Sequence, residues 1–144
     1  MLIGRRRISE LIPHSGSMCL LDAATSWDEE RIRCTASSHR DPANPLRRAN
    51  GLAAVCALEY AAQAMALHGA LTVNQGRRSG GGLLASTRDL VLHRGSLHDC
   101  AGDLTIEAQR VLGEASRVIY EFRVRDAAAV IAEGRAAVVL DAGA

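Results

Sequence analysis

The chain has 144 residues, 48 % of them hydrophobic, and a formal net charge of +1. That suffices for one ordinary globular core and is too little for two, so a single domain over residues 1–144 is expected. Its 17 basic residues are all arginine, and with one Trp, two Tyr and one Phe there is no basic stripe interleaved with aromatics, which argues against a dedicated nucleic-acid binder.

In chain order, the charged opening "MLIGRRRISELIP" has no apolar core of the signal-peptide kind. Within it "ISELIPH" predicts one helical turn that Pro13 ends. "MCLLDAATSWDEERIRCTASS" predicts two extended pieces joined at "DEE", with period-two alternation over residues 31–37. Residues 41–51, "DPANPLRRANG", hold Pro42, Pro45 and Asn50-Gly51 and read as a loop. A helix follows over about residues 52–68, alanine-rich and apolar on all sides, with Gly69 as its stop. It is too short for a membrane span and carries Glu59 at its middle, so it fits a soluble core better than a bilayer. "NQGRRSGGG" is a mobile connection without the Gly-Lys-Ser/Thr of a phosphate loop. Strands are expected near residues 84–93, 103–111, 117–124 and 128–140. One long helix set among antiparallel strands is an α+β plan in which the sheet wraps the helix.

Cys19, Cys34, Cys56 and Cys100 are widely spaced with no C-x-x-C pair, which points to free thiols in a reducing cytoplasm. Neither the cysteines nor the histidines show metal-ligand spacing, so no metal is expected.

Glu59 is the most informative position, because a carboxylate in an apolar helix is costly unless paired, hydrogen-bonded or protonated. Gln63, four residues on, shares its helical face and could orient the carboxylate. The plain alternative is a wet helix edge or an arginine ion pair. His14 follows Pro13 and is flanked by Ser15 and Gly16, which leave room beside the ring; on its own it could equally be a surface or core histidine. Together they offer an imidazole base and a carboxylic acid, the pair that removes a proton beside a carbonyl and returns one to a departing hydroxyl.

"LIPHSGSMCLLD", followed about forty residues later by "LEYAAQAMALHG", resembles the β-hydroxyacyl-acyl carrier protein dehydratases of the hotdog fold, and the likeness continues through "GLLASTRDLVLH" and "AEGRAAVVL". It is nearest to a divergent branch tied to aryl polyene and related pigment pathways. The resemblance implies an antiparallel sheet wrapped around one central helix. It implies His14 as the base taking the α-proton of a 3-hydroxyacyl thioester, Glu59 as the acid protonating the leaving β-hydroxyl, and Gln63 in support. The thioester oxygen would be held by a backbone N–H at the helix start, where Ala54 stands in place of the family's glycine. No cofactor is implied beyond the phosphopantetheine of an acyl carrier protein. Family members are dimers that combine the histidine of one protomer with the acid of the other, so a second hotdog chain, identical or paralogous, is expected.

Two other readings stay open. A hotdog thioesterase would use the helical carboxylate to activate water and would not need His14. A non-catalytic hotdog subunit would complete the site of a paralogous dehydratase. Arg47, Arg48, Arg77 and Arg78 could meet an acidic carrier protein or its phosphate, against the simpler view that they are solvated loop charges. His98, Asp99 and Cys100 form "LHDC" in a turn and are set aside as a catalytic group. His39 reads as a loop histidine, His68 as a helix C-terminal residue favourable to the dipole, and Tyr60 as packing.

Overall fold

The computed structural model describes residues 2–12, 16–72, 83–113 and 117–139. Pro13, His14 and Ser15 lie outside them, as do the whole of the glycine-rich connection with Arg77 and Arg78 and the turn expected at 114–116. Strand β1 (Ile3–Gly4) leads into helix α1 (Arg5–Leu11), two turns where one was expected, with Ile8 and Leu11 buried. A 3-10 turn, Gly16–Met18, precedes strand β2 (Ala23–Trp27) and strand β3 (Arg31–Ala36).

The apolar run Cys19, Leu20 and Leu21 was expected to begin the first extended piece, yet the ladder starts only at Ala23. These three residues are fully buried, and their backbone is held by side chains and loops. The turn at "DEE" forms as expected: the Asp28 carboxylate accepts the N–H groups of Glu30 and Arg31 at 2.8 and 2.9 Å, an arrangement in which a side chain substitutes for a backbone turn.

Helix α2 spans Ala57–Thr72 after a 3-10 turn at Ala54–Cys56. Gly69 therefore does not stop it. No atom lies within 4 Å of where a Cβ would stand on Gly69, the buried Ala70 continues the packed face, and Thr72 Oγ1 donates back to the His68 carbonyl at 2.7 Å. Ala57, Ala61 and Ala64 are fully buried, and α2 packs against α1, β3, β5 and β6. Truncating a fully buried residue here, such as Leu67, would cost about 2–5 kcal/mol.

Strands β4 (Leu83–Leu92), β5 (Leu104–Gly113), β6 (Arg117–Arg125) and β7 (Val130–Val139) complete one sheet in the order β1-β2-β3-β5-β6-β7-β4, every neighbouring pair antiparallel. Along β6 the buried Val118, Tyr120, Phe122 and Val124 face the helix while Arg117, Glu121, Arg123 and Arg125 face out, the alternation of a half-buried sheet. Where β4 bulges between Arg88 and Val91, Asp89 takes φ +54°. Gly134 of β7 gives that bulge room: a Cβ there would meet the Arg88 carbonyl and Leu90 Cα at 3.2 Å. A seven-stranded antiparallel sheet thus wraps one long helix, the α+β hotdog arrangement expected from the sequence. No helix among the described residues is long and apolar enough to cross a membrane.

Candidate active site

Glu59 sits in the first turn of α2, partly buried, where the helix dipole favours a negative charge. One turn earlier lies the Cys56 thiol. Burial raises its pKa, the Arg48 guanidinium opposes that rise and the Glu59 carboxylate adds to it, so both charges reach this end of the helix. Arg48 itself is fixed by a tight turn: it exchanges two backbone hydrogen bonds with Gly51, at 2.9 and 3.0 Å. Gly51 has φ +105°, and a Cβ there would collide with the His98 ring.

Gln63, one turn after Glu59, is completely buried. Its amide is spent on the segment that follows His14: Nε2 donates to the Met18 carbonyl at 2.7 Å, and Oε1 accepts the Leu20 N–H at 2.9 Å. The same segment is tied at Gly16, whose carbonyl accepts from Arg5 at 3.4 Å. It is tied again at Asp22, whose N–H donates to the Thr35 carbonyl and whose carboxylate accepts from Ser37 Oγ at 2.7 Å. The helix that carries Glu59 thereby grips the backbone at Met18 and Leu20, where the Glu59–Gln63 spacing had suggested only that Gln63 could orient the carboxylate.

The backbone donor expected at Ala54 is already engaged. Its N–H donates to the Gly95 carbonyl at 3.0 Å, beside a bridge between Ala53 and Ser96. The loop after β4 thus satisfies a helix-start donor that would otherwise be orphaned. The next N–H in that turn, on Val55, has no acceptor among the described residues, and the Val55 side chain is 48 % exposed.

The other candidates fall into structural roles. His98 Nδ1 accepts the Leu52 N–H at 3.0 Å, Asp99 accepts from Ser96 and Arg94, and the Cys100 thiol points to the Ser96 carbonyl, so "LHDC" is a self-bonded loop. His39 is buried, and its Nε2–H donates to the Gly102 carbonyl at 3.0 Å; burial lowers its pKa. His68 corrects the expectation of a dipole-facing helix end. It is buried, the helix runs a further turn, Nε2–H donates to the Asp28 carbonyl at 2.8 Å, and Nδ1 accepts from the Tyr120 hydroxyl at 2.7 Å. Burial lowers its pKa as well. Arg47 spends its guanidinium on the carbonyls of Asp41 and His39, whereas the exposed Arg48 donates to the Arg47 carbonyl at 3.3 Å.

Tyr60 does more than pack: its hydroxyl bonds to Ser38 Oγ at 2.8 Å and accepts from Asn44 Nδ2 at 3.2 Å. A groove of about 560 Å³ opens on the outer face of the sheet, among Arg33, Glu107, Arg123, Glu133 and Arg135. It holds surface ion pairs such as Arg33–Glu107 and lies away from Glu59, since no α2 residue lines it.

Among solved structures, the chain resembles the dehydratase heterocomplex ApeI:P from Xenorhabdus doucetiae, with TM-score 0.82, 20% identity, and coverage of 94% of this chain and 91% of that one. It also resembles zebrafish thioesterase superfamily member 2, with TM-score 0.65, 13% identity, and coverage of 94% and 92%. The PaaI protein of the E. coli phenylacetic acid degradation operon matches with TM-score 0.57 and 16% identity over 81% and 80%. At these identities the likenesses establish the fold. No curated protein matches the chain. The ApeP-like family model, described as ApeP dehydratase, matches residues 6–142. Nearly the whole chain, including the helix with Glu59 and Gln63 and the segment that follows His14, falls within that match, and the chain belongs to the ApeP-like dehydratase family.

Proposed function

We propose that the chain takes part in eliminating water from a 3-hydroxyacyl thioester carried on an acyl carrier protein, giving a trans-2-enoyl thioester. His14 takes the α-proton. Glu59 gives a proton to the β-hydroxyl as the C–O bond breaks and water leaves. The protons balance: the one taken by His14 returns to Glu59 through solvent before the next turnover. Thioester-oxygen charge develops near the start of α2, and with the Ala54 N–H engaged by Gly95 the donor for it is the Val55 N–H. The substrate arrives on phosphopantetheine and needs no further cofactor. Arg48, held in its turn and exposed, is a better contact for an acidic carrier than Arg47.

The observation that carries this reading is the double hydrogen bond of Gln63, which fastens the backbone after His14 to the helix of Glu59. The work takes place in a reducing cytoplasm with a second hotdog chain, and the likeness to a protein described as a dehydratase heterocomplex favours a paralogous partner over a second copy. The same observation favours one alternative, a subunit whose role is to complete the partner's site. The test is to follow loss of 18 Da from 3-hydroxyacyl-carrier protein with the chain alone, with a paralogous hotdog dehydratase alone, and with both. Turnover that needs this chain's His14 and Glu59 supports the dehydratase reading. Full activity of the mixture with both replaced supports the subunit role. Release of free thiol in place of water would replace both with a thioesterase.

A further inference from the structure

Leu20 is linked at both of its backbone groups to residues of α2, at one directly and at the other through Ser38. Its N–H goes directly to Gln63. Its carbonyl accepts from Ser38 Oγ at 2.8 Å, and Ser38 Oγ in turn bonds to the Tyr60 hydroxyl at 2.8 Å. The direction of this relay follows from proton count. Ser38 has one hydroxyl proton, and the Leu20 carbonyl can only accept, so that proton is committed to Leu20. Tyr60 therefore donates to Ser38, and Asn44 Nδ2 donates to Tyr60 at 3.2 Å. Asn44 is itself fully employed, with its amide nitrogen also on the Ser38 carbonyl at 2.8 Å and its oxygen accepting the Leu46 N–H at 2.8 Å. Tyr60 is completely buried. Burial pushes its pKa up, against the two side-chain hydrogen bonds, so the hydroxyl remains a donor.

The geometry points to Tyr60 and Ser38 as positioning residues for the reaction: they tie α2, the helix of Glu59, to Leu20 in the segment that follows His14 in the sequence. Tyr60 is the immediate neighbour of Glu59 and lies one turn from Gln63 on the helix. A helical residue pair three apart shares a face, and here that face grips the two sides of one residue, Leu20. The arrangement also ties in the loop at residues 38–44, whose Ser38 and Asn44 are the relay's other members. Removing the Tyr60 hydroxyl leaves the ring in place and Ser38 still able to donate to Leu20, but takes away the donor that fixes the Ser38 rotamer and the acceptor of one Asn44 N–H.

This inference rests on the dehydratase reading for its catalytic consequence, and the experiment separates the two. In the active assembly, Tyr60→Phe is expected to lower kcat by about 10- to 100-fold with KM little changed, the scale of misplacement by about 1 Å. Ser38→Ala lowers it similarly, Ser38→Thr recovers most of that loss, and Tyr60→Phe with Ser38→Ala together cost little more than one alone because the residues act as one relay. Independently of any activity, hydrogen exchange of the Leu20 amide is expected to quicken by about tenfold or more in Tyr60→Phe while amides of β5 and β6 keep their rates. Unchanged Leu20 protection overturns the inference, as does a lowered Tm with kcat per folded molecule intact. If wild-type assemblies show no dehydration, the dehydratase reading fails, and the exchange experiment still decides whether Tyr60 holds Leu20.

Discussion

Helix α2 buries two polar side chains within five residues of each other, and their partners differ in kind. Gln63 reaches across to the backbone of an irregular segment, at Met18 and Leu20, that leads directly from His14. His68 closes on the Tyr120 hydroxyl and the Asp28 carbonyl, the ring standing nearly perpendicular to Tyr120 with centroids 5.6 Å apart. Both satisfy the requirement that buried polar groups find partners. The first bonds an irregular segment between the residues after His14 and β2, and the second bonds the frame of the sheet, at β6 and the turn after β2. The proposed function gives the first a part in the site and leaves the second a structural one.

Breaking the Gln63 end has the largest expected effect. Gln63→Ala strands the buried Leu20 N–H, at a cost of about 1–3 kcal/mol, and frees the less buried Met18 carbonyl. Urea unfolding measures the stability, and activity per folded molecule should fall further still. Gln63→Glu sharpens the point: the carboxylate accepts from Leu20 but donates to Met18 only when protonated, so Leu20 amide protection should improve as pH falls.

Breaking the His68 end changes pH dependence in place of chemistry. Burial lowers the His68 pKa, so the native ring stays neutral where the unfolded chain, with a pKa of about 6.5, takes up a proton. The unfolded state binds more protons below that value. The stability this group contributes is therefore present above about pH 6.5 and declines as pH drops toward the native pKa. His68→Gln should flatten the fall of the urea midpoint between pH 7.5 and 5.5, with the remaining slope owed in part to His39, whose burial acts in the same direction. An unchanged slope would show that the ring titrates alike in the folded and unfolded protein.

The smallest effect belongs to the outer face. Arg135–Glu121 is a 2.8 Å ion pair between half-exposed side chains, and such pairs contribute about 1 kcal/mol or less. Arg135→Ala should move the Tm by little and leave turnover alone; a large loss of activity would draw the outer groove into the site.

Much of this was legible in the sequence where the physics is local. The 2-residue period predicted the meander, the long alanine-rich apolar run predicted the central helix, and the i,i+4 spacing put Glu59 and Gln63 on one face. The rest depended on partners far along the chain. Tyr60 looked like packing because Ser38 and Asn44 stand 22 and 16 residues away. Ala54 looked like a free donor because Gly95, its acceptor, lies in the loop after β4. The helix end was misjudged at Gly69 because no local rule weighs the burial of Ala70 against glycine's freedom. Residues 18–22 form an apolar run like a buried strand, but their hydrogen bonds go to Gln63, Ser38 and Thr35.

The most direct test of the central claim, that Glu59 on α2 and His14 beside the gripped segment act as one acid–base pair, is single-turnover water loss from 3-hydroxyacyl-carrier protein by the active assembly carrying Glu59→Gln, His14→Ala or both. The account predicts that each single variant loses at least about 1,000-fold in rate while remaining folded, and that the double variant loses little more. A Glu59→Gln assembly that turns over at the wild-type rate would contradict it.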